Sequence, residues 1–110
     1  MSASIPEPPP RPGKTYVFPV IEQILSNLDI EGSEDFLRLI RQRRQYGLNK
    51  YGTELMTHNG RNSFEDAFQE IGDCMAYVVQ AKLEGYTKDK FIKLRRVVNI
   101  LLIVLDTEFE

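Results

Sequence analysis

One cysteine, one histidine and no long apolar run are what this chain has least of, and each scarcity excludes something. Cys74 alone rules out an internal disulfide and fits a reducing compartment, so a cytoplasmic location is expected. His58, the single histidine, has no Cys or Asp partner at ligand spacing and reads as incidental. The longest apolar stretch, Val97 to Leu105, is interrupted by Asn99 and falls far short of a membrane span, so it reads as a buried helix and no membrane partner is expected. The N-terminus lacks the apolar segment that a signal peptide needs. Neither sign of charge dominates: 14 Lys and Arg against 16 Asp and Glu leave a net charge of −2, with no general pull toward a nucleic-acid polymer. No stretch alternates well enough for a strand, and no internal repeat is present.

What is present is globular in composition, with 42% hydrophobic and 27% charged residues in 110, enough for one domain. Five of the six prolines fall in residues 1–14, an extended tail that cannot build a core. Residues 15–110 read as a single helical domain. Pro19 suits the first turn of a short helix whose apolar face is Val20, Ile21, Ile24, Leu25 and Leu28. Gly32 stops it and Ser33 caps the next helix, which packs through Phe36, Leu37, Leu39 and Ile40 and ends near Gly47. Asn49 to Asn62 reads as a loop. A third helix runs from Asn62 or Ser63 to about Glu84, with Gly85 as its stop. Thr87 caps a fourth, with Phe91, Leu94, Val98, Leu101, Leu102 and Leu105 at helical spacing. The expected fold is all-α: a bundle of three main helices plus a short N-terminal one. Because the fourth helix is apolar on more than one side, an oligomer is expected, a dimer or a tetramer.

The third helix carries the chemistry. Asp66, Glu70 and Asp73 lie at i, i+4 and i+7, inside a sector roughly 60° wide, and Tyr77 continues the line. The apolar positions Phe64, Ala67, Phe68, Ile71, Met75 and Val78 centre on another side. Three carboxylates this close repel one another unless a cation sits among them, and hard oxygen ligands suit Mg²⁺ or Mn²⁺. Asp66, three residues after Ser63, equally completes a helix cap. The preceding segment brings Lys50, Tyr51, Asn59 and Arg61 near the start of that helix: cations for phosphate, a ring for stacking and an amide for a base edge.

These blocks, Lys50-Tyr51-Gly52-Thr53-x-Leu55, Asn59-Gly60-Arg61-Asn62 and Asp66-Ala67-x-Gln69-Glu70-x-x-Asp73 with Tyr77, resemble short phage-type members of the all-α nucleoside triphosphate pyrophosphohydrolase superfamily, the MazG-like proteins related to dimeric dUTPases. The resemblance covers about residues 33 to 85. It implies an oligomeric helical bundle that binds Mg²⁺ or Mn²⁺ and hydrolyses a nucleoside or deoxynucleoside triphosphate to the monophosphate and pyrophosphate. It places the metal motif on Glu70 and Asp73, while Asp66 joins them by helical geometry. Lys50 takes a catalytic role as well as a binding one, and Tyr51, Asn59, Arg61 and Tyr77 contact the nucleotide. One departure stands out. Where the family has a Glu-x-x-Glu pair on the preceding helix, this chain has Gln42-Arg43-Arg44-Gln45. Two alternatives therefore stand beside the hydrolase: a non-catalytic nucleotide-sequestering protein on the same scaffold, and a helical oligomerisation or adaptor module.

Overall fold

The computed structural model describes residues 13–109, so the proline-rich tail read at residues 1–14 lies almost wholly outside the described residues. Four helices follow in order: α1 (Val17–Asn27), α2 (Ser33–Tyr51), α3 (Ser63–Leu83) and α4 (Lys88–Asp106). No strand forms among the described residues, although an antiparallel bridge joins Tyr16 to Met56. No helix of the described residues is long and apolar enough to cross a membrane.

The bridge explains how α1 begins. Tyr16 makes no side-chain cap, and the N–H of Val17, which no helical carbonyl can reach, donates to the Leu55 carbonyl at 3.0 Å. Thr57 N–H donates to Thr15 at 2.8 Å, and Lys14 N–H donates to Thr57 at 2.9 Å, so the 55–57 segment is zipped against the entry to α1. Gly13 is demanded by this approach, since a Cβ there would stand 1.7 Å from the Thr57 carbonyl oxygen.

The breaks between helices follow the glycines, with one exception. Gly32, Gly52 and Gly85 all have left-handed φ, a conformation costly for other residues. At the start of α2 the hydroxyl of Ser33 does not cap its own helix. It turns back to the carbonyl of Ile30 at 2.9 Å, and Gly32 takes the N-cap position. Asn62 caps α3 as its sequence suggests, its side chain accepting from Glu65 N–H at 3.0 Å. The exception is Gly47, expected to end α2. The helix continues through it for another turn to Tyr51 and stops at Gly52, whose N–H donates to Leu48 at 2.9 Å. Residues 49–51, read as loop, are therefore helical. A glycine inside a helix adds only backbone entropy in the unfolded chain, and no atom stands within 4 Å of a Cβ built at Gly47. Gly47→Ala is accordingly expected to stabilise the protein by about 0.5–1 kcal/mol, read as a rise in Tm.

α1 packs on α2, and α2 on α4. Their shared core is small: among the described residues Leu25 of α1 and Ile100 of α4 are the buried hydrophobic ones, Ile100 completely. On α4 the inward side is Val97, Ile100, Leu101 and Val104, which leaves Val98, Leu102 and Leu105 of the expected stripe on the surface. Arg44 fastens the three parts of this unit together. Its guanidinium reaches Glu22 of α1 at 3.2 Å and Glu54 of the following loop at 2.8 Å. The hydrogen bond to Glu54, with the charges of Glu54 and Glu22 behind it, holds the Arg44 pKa above its ordinary value.

α3 stands apart. None of its Cα atoms comes within 8 Å of a Cα of another helix. Its apolar positions are left largely exposed: Phe64 is 73%, Phe68 66%, Met75 67% and Ile71 53% accessible.

Candidate functional site

Because α2 runs on to Tyr51, its last two turns present one side to α3. A cavity of about 330 Å³ opens there, lined by Arg43, Tyr46, Lys50 and Tyr51 of α2, by Glu54 of the loop and by Glu70 of α3. The spacing of Arg43, Tyr46 and Lys50 by three and four residues puts them on one helical face. The Arg43 guanidinium lies 4.4 Å from the Tyr46 ring centre, and the Lys50 ammonium 5.8 Å from Tyr46 and 5.3 Å from Tyr51. Both rings are half exposed, and neither Arg43 nor Lys50 is in an ion pair among the described residues. Two unneutralised cations beside two open aromatic faces can take an anion and a planar ring together.

On the other flank of Glu70 a cleft of about 320 Å³ separates α3 from α4. Glu70, Asp73, Cys74 and Tyr77 line it from one side, and Phe91 and Leu94 from the other. Glu70 thus belongs to both spaces, one cationic and aromatic, the other acidic and apolar. Lys50, Tyr51, Glu70, Asp73 and Tyr77 are therefore distributed around a single short stretch of α3.

The other residues picked from the sequence make a different unit. The Arg61 guanidinium grips Asp66 in two parallel bonds, Nε to Oδ2 and Nη2 to Oδ1, each 3.0 Å. Asn59 is buried, and its side-chain oxygen accepts from the Arg61 N–H at 3.2 Å. With His58 at a left-handed φ of 57° and Gly60 at 87°, these residues fix the turn that launches α3. Asp66, read as a third metal ligand, is here an anchor for Arg61, and Arg61, read as a phosphate contact, is occupied by Asp66.

The fit of a divalent ion rests on the donor set. No group of three or more His, Cys, Asp and Glu side chains gathers at ion-binding positions among the described residues. Glu70 and Asp73, one helical turn apart and lining one cleft, offer two carboxylates, which is the number Mg²⁺ commonly takes from protein when substrate phosphates complete its shell. The amides that stand where a facing acidic pair was expected do not look at these carboxylates. Gln42 lines a cleft between α2 and α4 beside Lys90 and Lys93, and the Gln45 side chain donates to Asn49 at 2.9 Å. The carboxylate that does share the cavity with Glu70 is Glu54, and Arg44 already holds it.

Tyr46 and Glu54 were not legible as site residues. With α2 ended at Gly47, neither the 43–46–50 face nor the proximity of residue 54 to the middle of α3 could be drawn. Compared with known proteins, the chain matches no protein-family model, no curated protein and no solved structure.

Proposed function

We propose that this protein is a metal-dependent hydrolase that converts a nucleoside or deoxynucleoside triphosphate to its monophosphate and pyrophosphate. The observation that carries the reading is the position of Glu70, shared between a cavity holding Lys50, Arg43 and two tyrosines and a cleft holding Asp73. Lys50 and Arg43 bind the phosphates, and Tyr46 or Tyr51 stacks on the base, with Tyr77 on the acidic side available to the sugar. Glu70 and Asp73 would hold Mg²⁺ or Mn²⁺; such an ion, when bound, neutralises phosphate charge and makes water a better nucleophile at neutral pH. In the net reaction the water oxygen bonds to the α-phosphorus, the bond to the bridging oxygen breaks, and pyrophosphate leaves with that oxygen. Lys50 and Arg43 stabilise the negative charge that grows on the leaving group. The protein works as a dimer or tetramer, a reading supported by its small core and by the exposed Phe64, Phe68 and Met75 of α3.

A sequestering protein that binds nucleotide without hydrolysing it is the second reading. It is favoured by the two-carboxylate donor set and by Gln42 and Gln45 in place of acids. Incubation with a panel of NTPs and dNTPs, with Mg²⁺ or Mn²⁺, decides between them. Equal amounts of monophosphate and pyrophosphate are expected. Tight binding without pyrophosphate release would instead rule for sequestration, and absence of any nucleotide binding would overturn both and leave the oligomeric adaptor.

A further inference from the structure

The apolar side of α3 lies away from Glu70 and Asp73. Phe64, Phe68, Ile71, Met75 and Val78 follow one another in steps of four, three, four and three residues, the first four exposed and Val78 half-buried at the edge where α3 faces Phe91 and Leu94 of α4. At about 100° per residue they stay within a sector roughly 80° wide. Phe64 and Phe68 touch each other, ring centres 5.9 Å apart, and no helix of the described residues comes close enough to cover them. Phe64, Phe68, Ile71 and Met75, each more than half exposed, make an apolar patch of the kind that marks an interface.

The surface of the whole chain points the same way. A folded monomer of 12.7 kDa exposes about 6,200 Å², whereas this chain exposes 9068 Å². Even granting the thirteen residues outside the described set all the surface of an extended chain, roughly 2,000 Å², the rest exceeds its expected value by about 1,300 Å². One partner in a standard interface contributes about 800 Å².

We infer that this face of α3 pairs with the same face of a second copy of the chain, the two helices running antiparallel about Asp73. This rests on the reading above that the protein self-associates, and adds the surface and the register. Phe68, Ile71, Met75 and Val78 read with the same spacing in both directions about residue 73, so antiparallel helices place Phe68 opposite Val78 of the second copy and Ile71 opposite its Met75, while Phe64 falls opposite Lys82. Charge favours this direction over a parallel one. Glu65, Asp66, Glu70 and Asp73 load the N-terminal half of α3 and Lys82 stands near its end, so parallel helices would set like charges and like helix ends side by side. Glu70 and Asp73 remain on the outer side of the pair, open to the clefts described above.

Light scattering and circular dichroism on four variants test this. Wild type is expected to give the mass of an assembly at micromolar concentration. Phe68→Glu and Val78→Lys should each weaken association at least a hundredfold. The double variant Phe68→Glu/Val78→Lys should restore it, because glutamate then faces lysine at both pairings. Leu105→Glu, at a 70% exposed position of α4, should leave the mass unchanged. Should pairing be needed for folding, the single variants lose helicity and the double variant regains it, which reports the same register. An assembly that survives Phe68→Glu, or a double variant that stays dissociated or unfolded, overturns the α3 pairing while self-association stands. Dissociation by Leu105→Glu in place of Phe68→Glu moves the interface to α4, and a monomeric wild type sinks both.

Discussion

Pyrophosphate release is expected to fall at least about a hundredfold in Glu70→Gln, with nucleotide binding only partly weakened. The substitution keeps the size of the side chain and removes its charge at the one position common to the cationic cavity and the acidic cleft. A group that acts mainly on the transition state is lost from kcat more than from KM. Asp73→Asn should behave alike, since Asp73 is the other carboxylate of that cleft. Asp66→Asn makes the internal contrast. Its carboxylate is engaged by Arg61, so its replacement should loosen the start of α3 and lower Tm while leaving the metal response in place. Steady-state release assays, isothermal titration with a non-hydrolysable triphosphate, and melting with and without Mn²⁺ separate these outcomes. Binding of the ion should raise Tm by mass action in wild type and Asp66→Asn, and should fail to do so in Glu70→Gln and Asp73→Asn. Metal stabilisation that persists in both acidic variants would move the ion elsewhere.

The contrast among three acids of one sector shows what helical spacing carries and what it omits. Asp66, Glu70 and Asp73 do project from one side of α3. Spacing fixes azimuth along an element but says nothing of what approaches that element from elsewhere. Arg61 lies five residues before Asp66, across a turn held by His58, Asn59 and Gly60, and the pairing depends on that turn's shape. The four helices were legible because local signals set them: Asn62 as a cap and Gly85 as a stop, although α1 ends at Asn27 and Gly32, expected to stop it, takes the N-cap position of α2. Gly47 misled because glycine in a helix costs only about 1 kcal/mol, which the flanking contacts of α2 outweigh. That one extra turn moved Lys50 and Tyr51 from a loop onto a helical face with Arg43 and Tyr46. The apolar positions of α3 were legible as a separate side of the helix, but spacing cannot say whether burial is supplied within the chain, and among the described residues the buried hydrophobic ones are Leu25 and Ile100.

Lys50→Ala and Arg61→Ala should part company, although the sequence places both residues beside the same acidic helix. Lys50 has no carboxylate partner among the described residues, and its ammonium hovers over two exposed rings at 5.8 and 5.3 Å, inside the cavity that Glu70 lines. Losing a charge-assisted contact to phosphate costs about 1.5–3 kcal/mol, so Lys50→Ala should weaken triphosphate binding roughly ten- to a hundredfold. It should leave Tm nearly unchanged, because no ion pair of the fold is broken. Arg61 stands in the opposite position. Its two bonds to Asp66 join the loop to the first turn of α3, with both side chains partly exposed, so its removal should cost about 1 kcal/mol of stability. Nucleotide affinity should then change by less than in Lys50→Ala, since a guanidinium held by Asp66 reaches phosphate only by giving that contact up. Titration with a non-hydrolysable triphosphate and thermal melting of the two variants side by side read both quantities. If Arg61→Ala loses affinity as steeply as Lys50→Ala while melting like wild type, then Arg61 releases Asp66 when nucleotide binds, and the Asp66 carboxylate becomes available to an ion at that moment.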